Sequence, residues 1–317
     1  MKYTDNAINI LTAKTYKGIG KAWIVQNIHH NEDIATIVQR LNAKLAEPTS
    51  VADFERIKNS ILLHIGNIQS YVDGITAIGD EDFPHIRGQV RDSEQPIVLY
   101  YKGDISLLQK NNHNVAVIGL LNPDLTTVEE ETSVVTKLVN AGWCIVSGLA
   151  VGCDSVAHQT TLDNHGKTIA VLPSSLKTIL PTQNKNLAEQ IVHNGGLLIT
   201  EYGKDAISDM ELRGRYQERD RLQALFSDSI ILSASYAKNN LGNDSGSRLA
   251  MEYARNYKIP RFVLYQENRD KDNPKYDLTR QVLAEGDTTI LDVNNAATII
   301  ENKRLSSQIP VQTQLFS

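Results

Sequence analysis

Ser147-Gly148-Leu149-Ala150-Val151-Gly152-Cys153-Asp154-Ser155-Val156-Ala157-His158 follows the apolar run Trp143 to Val146 and leads into a segment that reads as a helix. The order is strand, glycine-containing loop, helix N-terminus. Backbone amides in such a loop, with the positive end of the helix dipole, make a seat for a phosphate or another anion. Gly148 and Gly152 leave room for close approach of a ligand to the backbone. Ser147 stands at the strand end, beside that seat. Asp154 is placed to cap the helix, and His158 lies one turn later on the same face. The pair reads as a structural cap with a local hydrogen bond. A catalytic Asp–His couple would need a nucleophile, and no third residue in the sequence suggests one.

Outward from this stretch the chain alternates short apolar runs with helical segments. Strands are predicted at Ile97–Tyr101, Val115–Ile118, Trp143–Val146, Thr168–Leu172, Leu197–Ile199, Ser229–Leu232 and Arg261–Tyr265. Helices are predicted at Thr126–Asn140, Asp154–Asn164, Asn184–His193, around Arg219–Phe226, and at Ser245–Tyr257. Short continuous apolar strands separated by helices mean parallel strands covered on both faces, which is a doubly wound α/β sheet. In such sheets ligands lie beyond the carboxyl ends of the strands.

Residues 1–74 read as a small helical domain, with Ala7, Ile8, Ile10 and Leu11, and then Ile34, Ile37, Val38 and Leu41, recurring at helical period. Between the first two helices, Gly18-Ile19-Gly20 is either a tight interhelical turn or a set of amides offered to a phosphate. Residues 75–96 are polar and broken by glycine and proline, a connector. Residues 97–303 form the sheet domain, and residues 304–317 a flexible polar tail.

The 317 residues carry 41% hydrophobic and 22% charged side chains and a formal net charge of −5. These are the proportions of a soluble globular chain, and they exclude a bulk positive field. Any nucleic-acid contact must therefore come from a local basic patch. Two cysteines, Cys144 and Cys153, fit a reducing compartment. No cysteine–histidine cluster has metal-ligand spacing, so neither metal nor cofactor is expected. With no signal-peptide pattern and no membrane-length apolar run, the expectation is a cytoplasmic protein with no membrane partner.

Three further segments bear on chemistry. Val115 to Gly119 is a strand ending in glycine, but no Gly-x-Gly-x-x-Gly fingerprint follows it. The acidic run Glu129–Glu131 reads as a solvated face matched to a helix dipole. The stretch Arg213 to Arg221 holds four arginines among acids. If Arg215, Arg219 and Arg221 face one way they grip phosphates; if they pair with Glu211, Glu218 and Asp220 they are surface ion bridges. Asn243-Asp244-Ser245-Gly246-Ser247-Arg248 follows a strand and opens a helix, a second anion pocket of the same kind. Asn184 is the expected cap of the helix after Leu180-Pro181-Thr182-Gln183, and Lys177 and Lys185 flank that loop.

Taken together, these motifs resemble the DNA-processing protein A family, also called Smf. Ser147 to His158 matches the family's Ser-Gly-x-Ala-x-Gly-x-Asp-x-x-Ala-His throughout. Gly18–Gly20, Gly79 to Pro84, Tyr100 to Asp104, Pro181-x-x-Asn184-x-x-Leu187, Gly196, Glu201-Tyr202, Arg219-Asp220-Arg221 and Ser245-Gly246-Ser247 follow its other motifs in order. The resemblance implies an extended Rossmann-like, mostly parallel sheet and a non-catalytic binder of single-stranded DNA. It also implies a homodimer that loads a RecA-type recombinase during transformation. It points to Gly119, Gly148, Arg219, Arg221, Ser247 and the loop around Lys177 as strand-binding positions. The chain departs from the family in three places. Gly119-Leu120-Leu121 stands for Gly-Ser-Arg, Leu232-Ser233-Ala234 for Val-Glu-Ala, and no Pro-Gly follows Val263-Leu264-Tyr265. No winged-helix segment follows either. The expectation is a divergent member whose alternative role is a nucleotide-ligand sensor of the wider superfamily, with a place in phage defence. At the tail, Gln312, Leu315 and Phe316 resemble the Gln-x-x-Leu-Phe peptide that docks into the bacterial sliding clamp; the alternative is a frayed end.

Overall fold

The computed structural model describes residues 1–29, 32–238 and 246–308. Four helices come first: α1 (Asp5–Ala13), α2 (Lys21–Asn27), α3 (Ile34–Asn42) and α4 (Val51–Ile68). Three of their starts follow the local capping rule, with Thr4, Asp33 and Ser50 accepting the amides of Ala7, Thr36 and Asp53. Nine strands then build one sheet: β1 (Gly74–Ala77), β2 (Val98–Gly103), β3 (Asn114–Ile118), β4 (Cys144–Ser147), β5 (Thr168–Val171), β6 (Leu197–Thr200), β7 (Ser229–Leu232), β8 (Arg261–Val263) and β9 (Thr288–Ile290). Their order is β1-β2-β6-β5-β4-β3-β7-β8-β9. From β6 to β9 every pairing is parallel, while β1 and β2 run antiparallel at one edge.

The helices between strands are α5 (Leu125–Asn140), α6 (Cys153–Asp163), α7 (Lys185–His193), α8 (Asp209–Leu225), α9 (Gly246–Asn256), α10 (Glu267–Asp270), α11 (Asp277–Ala284) and α12 (Ala296–Gln308). Side chains alternate across the sheet, so it is buried on both sides. Ala116, Ile118, Val146, Ile230 and Leu232 face the α8–α9 layer with Leu222, Phe226, Met251 and Ala254. Val115, Val117, Ile145 and Ile231 face Val134, Val135 and Leu138 of α5 and Ala157 of α6. This is the expected doubly wound, mostly parallel α/β fold.

Several expectations need correction. The stretch read as a connector begins with a sheet strand: Ile75 pairs with Tyr100 and Ala77 with Val98. Four residues are too short a run to show a period of two. The N-terminal helices do not enclose a core of their own. Ile8, Ile24, Leu41 and Phe54 share one apolar cluster with Ile75, Val98, Leu198 and, from α7, Ile191. The polar segment from 304 onward does not start as a tail, because α12 continues through it to Gln308. β9 was not predicted; it is a three-residue edge strand with little burial to mark it. Asp124 caps α5 by accepting the Thr127 amide.

Chain order moves outward from β3 through β4, β5 and β6 on one side, and through β7, β8 and β9 on the other. The direction of winding therefore reverses at β3. A crevice opens at such a reversal, outside the carboxyl ends of the strands.

Candidate functional site

A cavity of about 780 Å³ lies at that reversal, in the range of small-ligand sites. The loop after β3 (Gly119, Leu120, Leu121, Asn122), the loop after β4 (Ala150, Val151), Asp154 of α6 and the start of α9 (Gly246, Ser247) all reach it. The two strand–loop–helix turns expected from the sequence therefore meet at one cavity. Ser247 Oγ donates to the Gly119 carbonyl at 3.1 Å and ties the start of α9 to the loop after β3. Ser245 lies outside the described residues, as do Gln312, Leu315 and Phe316 of the tail motif.

The glycines work differently from the expectation. Each is approached by the protein itself. A Cβ on Gly119 would stand 2.5 Å from Cys153 Sγ, and one on Gly152, which has φ +81°, 2.2 Å from the Leu120 carbonyl oxygen. A Cβ on Gly148 would stand 1.3 Å from Arg219 Nη1, and one on Gly246 2.7 Å from Asp220 Oδ2. The amides of Gly148 and Ala150 donate to Asp154 Oδ2 at 3.1 and 3.2 Å. The first loop thus carries a resident carboxylate where an anion was expected. Asp154 does not cap α6 with its side chain; Gly152 occupies the cap position without a side-chain bond.

Other expected residues hold the loop rather than line it. Ser147 is buried and donates to the Val117 carbonyl at 2.7 Å. Asn184 sits at the N-cap of α7, but its amide reaches back to the Leu149 carbonyl at 2.8 Å and Ser155 Oγ at 2.9 Å. Leu149 has a left-handed φ of 61° and is fully buried, so this clamp fixes a backbone conformation that costs energy for a leucine. His158 Nδ1 bonds Thr168 Oγ1 at 2.7 Å, not Asp154. Burial and the Arg219 charge push its pKa down to about 3, so the ring is neutral. Lys177 and Lys185 are exposed and do not line the cavity.

The arginines of α8 divide. Arg215 stacks over the Tyr202 ring at 4.2 Å and bonds Glu211 and the Lys204 carbonyl. Arg221 faces the N-terminal helices: its Nη2 bonds Glu201 Oε1 at 2.7 Å, while Lys21 Nζ lies 3.1 Å from the same oxygen. Burial opposes the Glu201 charge, yet Arg221 and Lys21 together hold its carboxyl below the usual range. Arg221 is therefore a buried partner of Glu201 and does not line the cavity. Arg248 is part-exposed and bonds Glu252 one turn on.

Arg219 alone of the three α8 candidates lines the cavity, and it is 5% exposed. Its Nε lies 3.3 Å from Asp220 Oδ1 and its Nη1 3.9 Å from Asp154 Oδ2, close enough for charge attraction. Neither nitrogen donates a hydrogen bond to any of the described residues. A buried guanidinium with open donors is costly unless something accepts them, and it is the strongest anion-seeking feature of the cavity. Tyr216, Arg219, Asp220 and Gln223 reach the cavity together, at the i, i+3, i+4, i+7 spacing of one helix face. The sequence singles out neither Gln223 nor Tyr236, and it names Asp220 only as an ion-pair partner; the spacing on α8 was the available signal for the shared face. Burial pushes the Asp220 carboxyl up to about 7, and raises that of Asp154.

Glu131 is the other correction. It is fully buried, not part of a solvated face, and burial pushes its carboxyl up to about 8. Among the described residues no group of three or more His, Cys, Asp or Glu is gathered as metal ligands. No described helix is long and apolar enough to cross a membrane.

Comparison with known proteins follows the same lines. A family model described as DNA recombination-mediator protein A matches residues 74–302. The chain is 33% identical over 189 residues to DNA processing protein DprA of Streptococcus pneumoniae, covering 59% of this chain and 63% of that one. It is 31% identical over 187 residues to Protein Smf of a Synechocystis strain, covering 58% and 44%. The matches thus span less than two thirds of the length of those two relatives. Among solved structures, DNA processing protein A from Streptococcus pneumoniae aligns with a TM-score of 0.71 at 24% identity, over 94% of this chain and 98% of that one, a likeness of fold. DNA processing protein A from Helicobacter pylori, whose structure gives insight into its single-stranded DNA binding mode, aligns with a TM-score of 0.59 at 28% identity, over 72% and 96%.

Proposed function

The chain belongs to the DNA recombination-mediator protein A family, and from that premise we propose that it binds single-stranded DNA, with one backbone phosphate seated against Arg219 in the cavity beyond β3, β4 and β7. The observation that carries this reading is the buried guanidinium whose Nε and Nη1 have no hydrogen-bond acceptor among the described residues. The starts of α6 and α9 add their dipoles on the same side. Tyr216 and Tyr236 on the cavity wall offer faces for an unstacked base. The reading is of a binder and not a catalyst, because Asp154 is engaged by loop amides and His158 by Thr168.

The test is fluorescence anisotropy with short oligo-dT and with duplex DNA at several salt concentrations. Strand-selective binding is expected, and Arg219→Ala should weaken it and lower the salt slope by about 0.7, the value for one single-strand phosphate. Absence of strand binding at low salt, or an unchanged slope in the variant, overturns the proposal. The cavity volume favours one second reading, a sensor of a free mononucleotide, which predicts saturable nucleotide binding without strand binding. A RecA-type recombinase and a second copy of the chain are partners that follow from the family; sedimentation of the full chain with and without oligo-dT tests the second.

A further inference from the structure

We infer that Asp220 sets the charge selectivity of this cavity, admitting a singly charged phosphodiester and turning away a doubly charged phosphate monoester. The inference rests on the strand-binding reading above and names the chemical class its site accepts.

The argument is one of charge placement. Among the described residues lining the cavity, Arg219 is the one cation, and Asp154 and Asp220 are both carboxylates. Asp154 accepts two loop amides and stands in the first turn of α6, which favour its charge against the burial that raises its carboxyl. Asp220 is 3% exposed. On its own helix it is faced by Arg219 and by Gln223, whose Nε2 donates to Oδ1 at 3.2 Å. From α6 it is faced by the Asp154 charge, and from α9 by the Gly246 backbone and the Tyr253 phenol.

A phosphate drawn to Arg219 arrives beside an ionised Asp220 buried in low dielectric, where like charges repel strongly. The repulsion is removed when Asp220 takes up a proton, and burial already holds its carboxyl close to neutrality, at about 7. With Asp220 neutral, a diester and Asp154 carry two negative charges against Arg219 and two helix N-termini of roughly half a charge each, so the site is balanced. A monoester dianion leaves an uncompensated charge. The cavity therefore takes internal positions of a strand in preference to a free mononucleotide or a phosphorylated end.

The experiment uses the full chain and labelled oligo-dT, with the dinucleotide TpT and thymidine 5′-monophosphate as competitors, from pH 6 to 8.5. In the natural chain affinity should rise as pH falls through about 7, and fall about tenfold from pH 7 to 8.5. At pH 8, TpT should compete at least tenfold better than the monophosphate. Asp220→Asn keeps the size and removes the titration. It should bind oligo-dT about tenfold tighter at pH 8, with a flat pH profile and a narrowed gap between the competitors. A flat profile in the natural chain overturns the inference, and so does an unchanged competitor preference in Asp220→Asn of normal melting temperature. Should oligo-dT binding itself be absent, or independent of Arg219, the strand-binding reading fails instead.

Discussion

Gly148→Ala separates the role of the glycine loop from that of the fold. Gly148 is not held at positive φ, so an alanine meets no backbone strain there. The obstacle is the Arg219 guanidinium, with Nη1 1.3 Å and Cζ 2.5 Å from the added Cβ. Ordinary contact begins near 3.5 Å, so Nη1 must retreat by about 2 Å. Asp154 Oδ2, at 2.8 Å, is held by two amides and has less freedom to move. The guanidinium is the far end of a flexible side chain and is the part that yields. A phosphate placed for it then loses a charge-assisted hydrogen bond worth about 1.5–3 kcal/mol, a drop in strand affinity of roughly 10- to 100-fold. The loss of stability should be smaller, because the displaced charge gains water and the sheet is untouched. Anisotropy titration with oligo-dT and a thermal melt measure the two effects on one sample. A Gly148→Ala chain that binds as tightly as the natural one refutes the placement of Arg219 as the anion-holding group.

Three other outcomes follow from the same structure. Glu131→Gln should stabilise the chain at pH 7 by up to about 3 kcal/mol: the folded carboxyl, raised to about 8, keeps a proton that the unfolded one releases above about 4.5, so stability falls as pH rises between them. Denaturant melts from pH 5 to 9 check this, and parallel curves for both chains would sink it. Arg221→Ala should cost about 3–5 kcal/mol by leaving Glu201 buried against Lys21 alone, while the folded fraction at low temperature binds oligo-dT with unchanged affinity. Asn184→Ala should lower the melting temperature through the lost clamp on Leu149 and Ser155, at about 1–3 kcal/mol, read by calorimetry.

The sheet was legible because parallel strands buried on both faces print as continuous apolar runs; all seven predicted strands overlap observed ones. β1 and β9 were not, being edge segments of four and three residues. Within the site, the meeting of the two loops was legible from strand ends and glycines, but the facing of α8 was not. That helix, DMELRGRYQERDRLQAL, has no apolar stripe along its first three turns to set its phase. Its buried side chains include Arg215, Arg219, Asp220, Arg221 and Gln223, whose burial depends on partners distant in sequence. Glu131 was misread for the opposite reason. It falls at i, i+3, i+4, i+7 with Val134, Val135 and Leu138, in phase with the apolar face, and its charge hid that phase.

The disposition of carboxylates gives the glycine loop a different task from the one its sequence suggests. In a phosphate cradle, free amides point at the ligand. Here Asp154 takes the Gly148 and Ala150 amides, and the same carboxylate holds Arg219 at 3.9 Å. Asn184 and Ser155 secure the loop from behind, and Ser247 secures the facing one. The missing Cβ of Gly148 is then the space the guanidinium occupies. A cation fixed in this way needs no reorganisation when an anion arrives, which is where buried electrostatic groups gain their strength. On the proposed reading the loop acts at second hand, by positioning a side chain from α8. On this reasoning affinity tracks the placement of Arg219 more closely than the number of basic residues nearby, which is consistent with a chain of net charge −5 belonging to a family of DNA-handling proteins.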